Sequence, residues 1–131
     1  MKQDKDAHTE VISAEELENK LPEGFKPPEN SKVYRFRDGL GLINHEGKWG
    51  FINENGRGFA KYDDAWPFSE GMALVKLNGK YGFVDRSGRE VVAPYYDEAK
   101  PYSEGLALVR LGRKFGYINA LGKVVVPFEE V

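Results

Sequence analysis

The chain repeats itself, and that limits its fold more tightly than composition does. The stretch YDDAWPFSEGMALVKLNGKYGFVDRSGREVV (62–92) aligns without a gap with YDEAKPYSEGLALVRLGRKFGYINALGKVVV (96–126), and 16 of the 31 positions are identical. An earlier copy shows in FRDGLGLINHEGKWGFINENGR (36–57), where Phe36, Gly39, Leu42, Lys48 and Gly50 take the places of Phe68, Gly71, Leu74, Lys80 and Gly82. The pairs Trp49-Gly50, Tyr81-Gly82 and Phe115-Gly116 recur at spacings of 32 and 34 residues. The closing FEEV (128–131) matches YDDA and YDEA, so a partial fourth copy opens there. Units over 31–61, 62–95 and 96–127 follow, each too small to bury its own apolar face without a neighbour.

Within a unit the local chemistry is that of strands. ALVKL (73–77) and YGFVD (81–85) are rich in β-branched and aromatic residues and flank Asn78-Gly79, a pair that accepts positive φ and so predicts a hairpin. RSG (86–88) turns the chain into REVVA (89–93), and Pro94 is expected to end that strand because it lacks a ladder donor. A loop of the form Tyr-Asp-x-Ala-x-Pro-aromatic-Ser-Glu-Gly leads to the next unit. The expected fold is all-β: tandem antiparallel three-stranded meanders of about 33 residues, forming an open or weakly closed array. Residues 1–30 differ. They are polar, carry the breakers of LPEGFKPPEN, and read as a tail and linker with a short helix over 13–20, where Ser13 and Glu16 have capping-box form.

On a strand, Tyr81 and Phe83 share one face while Gly82 and Val84 share the other. Gly50, Gly82 and Gly116 are therefore read as points where a residue without Cβ lets a ring or backbone of an adjacent unit come near. Trp49, Tyr81 and Phe115 supply bulk whose chemistry changes between copies while its size is roughly kept, which is the behaviour of scaffold residues.

The combination of KWGFI, KYGFV and KFGYI with SEGMALV, SEGLALV and YDEA resembles the WG-repeat family of bacterial proteins, also called KWG repeats, over roughly 31–131. The resemblance implies a β-rich module, often exported, with a presumed role in binding macromolecules and no assigned catalytic mechanism. That leans the compartment toward the cell envelope, which the residues themselves leave open. The first unit departs from the pattern, with RDGLGLINHEG in place of SEGMALVKLNG.

Composition narrows the function classes. Nineteen basic and 21 acidic residues nearly cancel to a net charge of −2, so no whole-chain field draws in nucleic acid, and the recurrent Lys48, Lys80, Lys114, Arg57, Arg89 and Lys123 read as a solvated face. Without cysteine there is no disulfide, thiolate nucleophile or cysteine-bound zinc. No run approaches the roughly 18 apolar residues that span a bilayer. The two histidines, His8 and His45, form no metal set, and no glycine-rich phosphate cradle is present, so neither metal nor cofactor is expected. Asp38, Glu70 and Glu104 recur once per unit before a loop glycine, a spacing that suits loop hydrogen bonds better than paired acid/base work. Ser69 and Ser103 have no recurring histidine to activate them.

The leading expectation is thus a non-enzymatic interaction module facing another protein or a cell-envelope polymer. An alternative is a carbohydrate- or wall-binding module whose loop aromatics Trp66, Tyr62, Phe68, Tyr95, Tyr96 and Tyr102 form a platform. A third reading, an enzyme, would need Asp38, His45 and Glu46 to converge in a cleft.

Overall fold

The computed structural model describes residues 29–37 and 39–130. Residues 1–28, with the proposed helix, and Asp38 lie outside them. The described residues are all-β, with no helix, in antiparallel sheets none of which closes into a barrel. The chain divides after Pro67 into two compact units.

The first unit holds β1 (Ser31–Arg37), β2 (Leu40–His45), β3 (Lys48–Asn53) and β4 (Gly58–Tyr62), hydrogen-bonded in that order, and then the two-residue β5 (Asp64–Ala65). Its core is Val33, Ile43 and Ile52 with Ala60 packed on it. Phe59 makes edge contacts with both Phe51 and Tyr62 at 6.1 Å.

The second unit holds β6 (Met72–Leu77), β7 (Lys80–Asp85) and β8 (Glu90–Tyr96), then β9 (Glu98–Ala99), β10 (Ala107–Leu111), β11 (Lys114–Ile118) and β12 (Val124–Glu130). The last four form a sheet in the order β12-β11-β10-β9. The predicted meander is present in every repeat, and the Tyr-Asp-x-Ala segment adds a strand where a loop was expected: Ala99 pairs with Val109 as Val33 does with Ile43. Hairpins fall where the turn residues put them. Asn78 and Gly79 both take positive φ (53° and 82°), as do Glu46 and Gly47 (52° and 90°), the type I′ turn whose twist matches its strands.

Pro94 does not end its strand. β8 runs through it to Tyr96, because the pairing slips: Tyr81 faces Tyr96, whereas Phe83 faces Val92. The slack forms a bulge around Pro94, where a missing N–H costs no ladder bond. Gly82 sits opposite that bulge. A Cβ there would press on Val92 O, Pro94 N and Ala93 C, all main-chain atoms of its own sheet. Gly50 likewise faces Phe59 O and Ala60 Cα on β4, and Gly116 faces Val126 O and the Phe128 ring on β12. The three glycines are equivalent, as expected, but what they admit is the bulged third strand of their own sheet, and only at Gly116 does a residue of the next copy, Phe128, come near.

Candidate interaction surface

What joins the second repeat to the third is the Ser-Glu-Gly loop. Ser69 N and Met72 O, and Met72 N and Ser69 O, close a two-residue turn at 2.8 and 3.1 Å, with Glu70 and Gly71 at φ 56° and 80°. Ser103 and Leu106 close the matching turn around Glu104 and Gly105, at φ 53° and 84°. A left-handed glutamate is unfavourable by about 1–2 kcal/mol relative to glycine, so its side chain needs a reason to be there. The Glu70 carboxylate accepts hydrogen bonds from the backbone N–H groups of Glu104 and Gly105, the latter at 2.8 Å. The Ser69 hydroxyl donates to Tyr102 O at 2.9 Å. One loop thus clasps the next.

Tyr102, two residues before Glu104, completes the joint. Its ring lies edge-on to Phe83 at 4.7 Å, and its hydroxyl donates to Asn119 O at 2.7 Å. Only 2% of Tyr102 is exposed, and burial, with Tyr96 close by, pushes its phenol up to about 12. Beside it, the turn residue Gly122 rests against Val92 Cγ2 and Val91 O.

Tyr62, Phe68, Tyr96 and Tyr102 are buried, Trp66 is half-buried and Tyr95 stands 58% exposed. Tyr95 and Tyr96 meet edge-on at 5.1 Å, and Tyr96 stacks on Phe128 at 6.1 Å. The motif aromatics Trp49, Tyr81 and Phe115 are each half-buried: Trp49 leans on Tyr34 at 5.2 Å, and Lys76 lies over Tyr81. The motif lysines have a role invisible in the alignment. Lys48 donates to Asp63 at 2.9 Å and Lys80 to Asp97 at 2.6 Å. Asp97 also accepts from Gly112 N, and these bonds hold its carboxyl below the usual range.

Around His45, Glu46 Oε1 lies 3.9 Å from Nε2, while Asp38 is outside the described residues. A partner that the repeat alignment did not flag is Ser31, whose hydroxyl sits 2.7 Å from His45 Nδ1 beside a shallow depression of about 520 Å³. A hydroxyl on an imidazole is the start of a nucleophile, but acyl transfer also needs donors for an oxyanion. Two backbone donors of the adjoining turn, Glu46 N and Gly47 N, are taken by Asn30 O and Asn44 Oδ1. Among the described residues no cluster could hold a metal ion.

The last sheet leaves apolar side chains uncovered. Tyr117 on β11, Leu121 in the following turn, and Val124, Val125 and Val126 on β12 are all exposed, with Leu121 at 73%. The equivalent of Tyr117 in the second repeat, Phe83, is fully buried.

Residues 60–81, 81–115 and 115–129 match the family described as WG containing repeat, and the chain belongs to that family. The matches start after the divergent first copy. No curated protein and no solved structure matches the chain.

Proposed function

We propose that this protein is a non-catalytic repeat module that binds another protein through the exposed face of its last sheet. The observation that carries this is the set of exposed apolar residues on the last hairpin, Tyr117, Leu121, Val124, Val125 and Val126, with Tyr117 and Val126 paired across β11 and β12, on a chain of near-neutral charge. Exposed apolar side chains gathered on one edge are a feature of surfaces that meet a partner. Membership of a repeat family supports the non-enzymatic side of the reading, as does the engagement of Glu46 N and Gly47 N, beside Ser31 and His45, in hydrogen bonds to other described residues.

A cell-envelope polymer is the second reading, favoured by Tyr95, whose ring stands out from β8 where a sugar face could stack on it. Two variants separate them. Capture from the native cells should enrich one polypeptide with the natural chain and lose it with Leu121→Glu/Val125→Glu, whereas Tyr95→Ala should leave it unchanged. Retention on peptidoglycan or polysaccharide that Tyr95→Ala abolishes would reverse the order of the two readings.

A further inference from the structure

The second repeat shows what covers such a face. Four features of it receive the third repeat: Phe83 takes the Tyr102 ring, Glu70 takes the N–H groups of Glu104 and Gly105, Ser69 bonds Tyr102 O, and Val91 with Val92 takes the Gly122 turn. All four recur on the third repeat, 34 residues on, as Tyr117, Glu104, Ser103 and Val125 with Val126. There they stand open. Exposure rises from 0% at Phe83 to 39% at Tyr117, and from 9% at Val92 to 44% at Val126. Ser103 and Glu104 are exposed, and no hydrogen bond joins the side chain of either to another described residue. An apolar strip alone would not say what it binds. A strip accompanied by an acceptor carboxylate and a hydroxyl, each in the place it holds in a joint already formed, does.

We infer that the face is an acceptor for one repeat of this kind carried by the bound protein, seated as the third repeat is on the second. Its occupant is a Pro-aromatic-Ser-Glu-Gly loop whose ring seats on Tyr117, whose backbone N–H groups bond Glu104, and whose next turn rests on Val125 and Val126. This rests on the reading of the last sheet as a binding surface and adds the chemistry of what binds.

The test extends the full chain by a second copy of residues 100–131, so that FEEV serves as the YDEA of the added unit. Tyr117 should then lose at least about tenfold in reactivity toward tetranitromethane, and amide exchange over 115–126 should slow by a similar factor, as expected of a segment moved from an open edge into a packed joint. Replacing the added loop's tyrosine by alanine, or Glu104→Ala in the parent part, should each reverse most of the protection. Unchanged Tyr117 reactivity beside a folded added unit would overturn the inference. So would an added unit that stays protease-sensitive while the parent repeats remain intact, because a face built for it would fold it. Concentration-dependent self-association of the natural chain that shields Tyr117 would replace the added repeat by a second copy. If capture depends on Leu121 and Val125 but the extension gains no protection, the binding surface stands and only its occupant is wrong. If capture ignores both residues, the surface reading fails whatever the extension does.

Discussion

The second and third repeats share half their residues and differ sharply in burial. In the second, β6 and β7 are covered on both faces: Ala73, Leu74, Val75, Phe83 and Val84 are all buried. In the third, β11 alternates, with Gly116 and Ile118 inside and Tyr117 outside. Closely related strand sequences therefore yield a closed sheet in one place and a half-open one in the other. The lesson is that a repeat's strand pattern specifies the meander, while the loop of the following repeat specifies the burial.

The sharpest way to break the contrast is to uncover the second repeat. Tyr102→Ala removes the ring that shields Phe83, and loss of a fully buried aromatic costs about 3–5 kcal/mol. Tyr117→Ala, on the open face, should cost under about 1 kcal/mol. Urea unfolding of the two variants should differ by several tenths of a molar or more in midpoint, and equal midpoints would remove Tyr102 from the joint. Gly82→Ala comes next. Its Cβ has only rigid main-chain atoms to push against, so about 2–3 kcal/mol is expected. In Gly116→Ala the new methyl lies 3.0 Å from Val126 O and 3.1 Å from the Phe128 ring, and a strand on the open edge can give way, so the cost should be about 1 kcal/mol.

Those glycines show where sequence reading succeeds and where it stops. Their equivalence, the hairpin turn at Asn78-Gly79 and the meander itself were legible, since each depends on spacing and on residues within a few positions. Their purpose was not. The bulge around Pro94 arises from a two-residue slip between β7 and β8, and nothing local distinguishes that slip from the strand end a proline ordinarily marks. The Ser-Glu pair was legible as loop hydrogen bonding but not as a joint, because its partners lie 33 to 35 residues away and meet only once two sheets are packed. Trp66 stands apart in the sequence because Lys100 takes its place in the next copy, but nothing local separates Tyr95 from the four buried loop aromatics. Their exposures diverge because Tyr62 and Tyr102 point into packed layers, while Tyr95 follows the bulge outward.

Single hydrogen bonds at the joint carry smaller effects. Tyr102→Phe keeps the ring and drops the bond to Asn119 O, for about 1 kcal/mol at neutral pH. It should also change the alkaline limb. A phenol raised from its ordinary 10 to about 12 gives stability that is whole below pH 10 and lost as pH climbs toward 12, so the natural chain should weaken there and the variant less. Glu70→Ala removes a charged acceptor from two backbone donors in an exposed loop, for about 1 kcal/mol, whereas Glu104→Ala should change stability by a few tenths. Equal effects at Glu70 and Glu104 would mean that the loop clasp does not operate in solution.

The smallest effect concerns a single matched position. Asn53, Asp85 and Asn119 each close the turn after the middle strand in the same way, the side-chain oxygen accepting from the backbone N–H groups two and four residues on. Only the second repeat uses a carboxylate. The Ser87 hydroxyl, 2.7 Å from Asp85 Oδ1, is the main reason that its carboxyl is held below the usual range, with the backbone donors of Ser87 and Arg89 adding to it. A depressed carboxyl stabilises the fold at pH values above the ordinary aspartate value, and that contribution fades as pH falls through the lowered one. Asp85→Asn retains both backbone bonds, so the variant should match the natural chain at pH 7 apart from the small loss of charge assistance. As pH is lowered, the natural chain should lose stability faster than the variant. Parallel acid limbs from thermal melts at pH 7 and pH 3 would show that the asparagine and aspartate turns are interchangeable in charge as well as in shape.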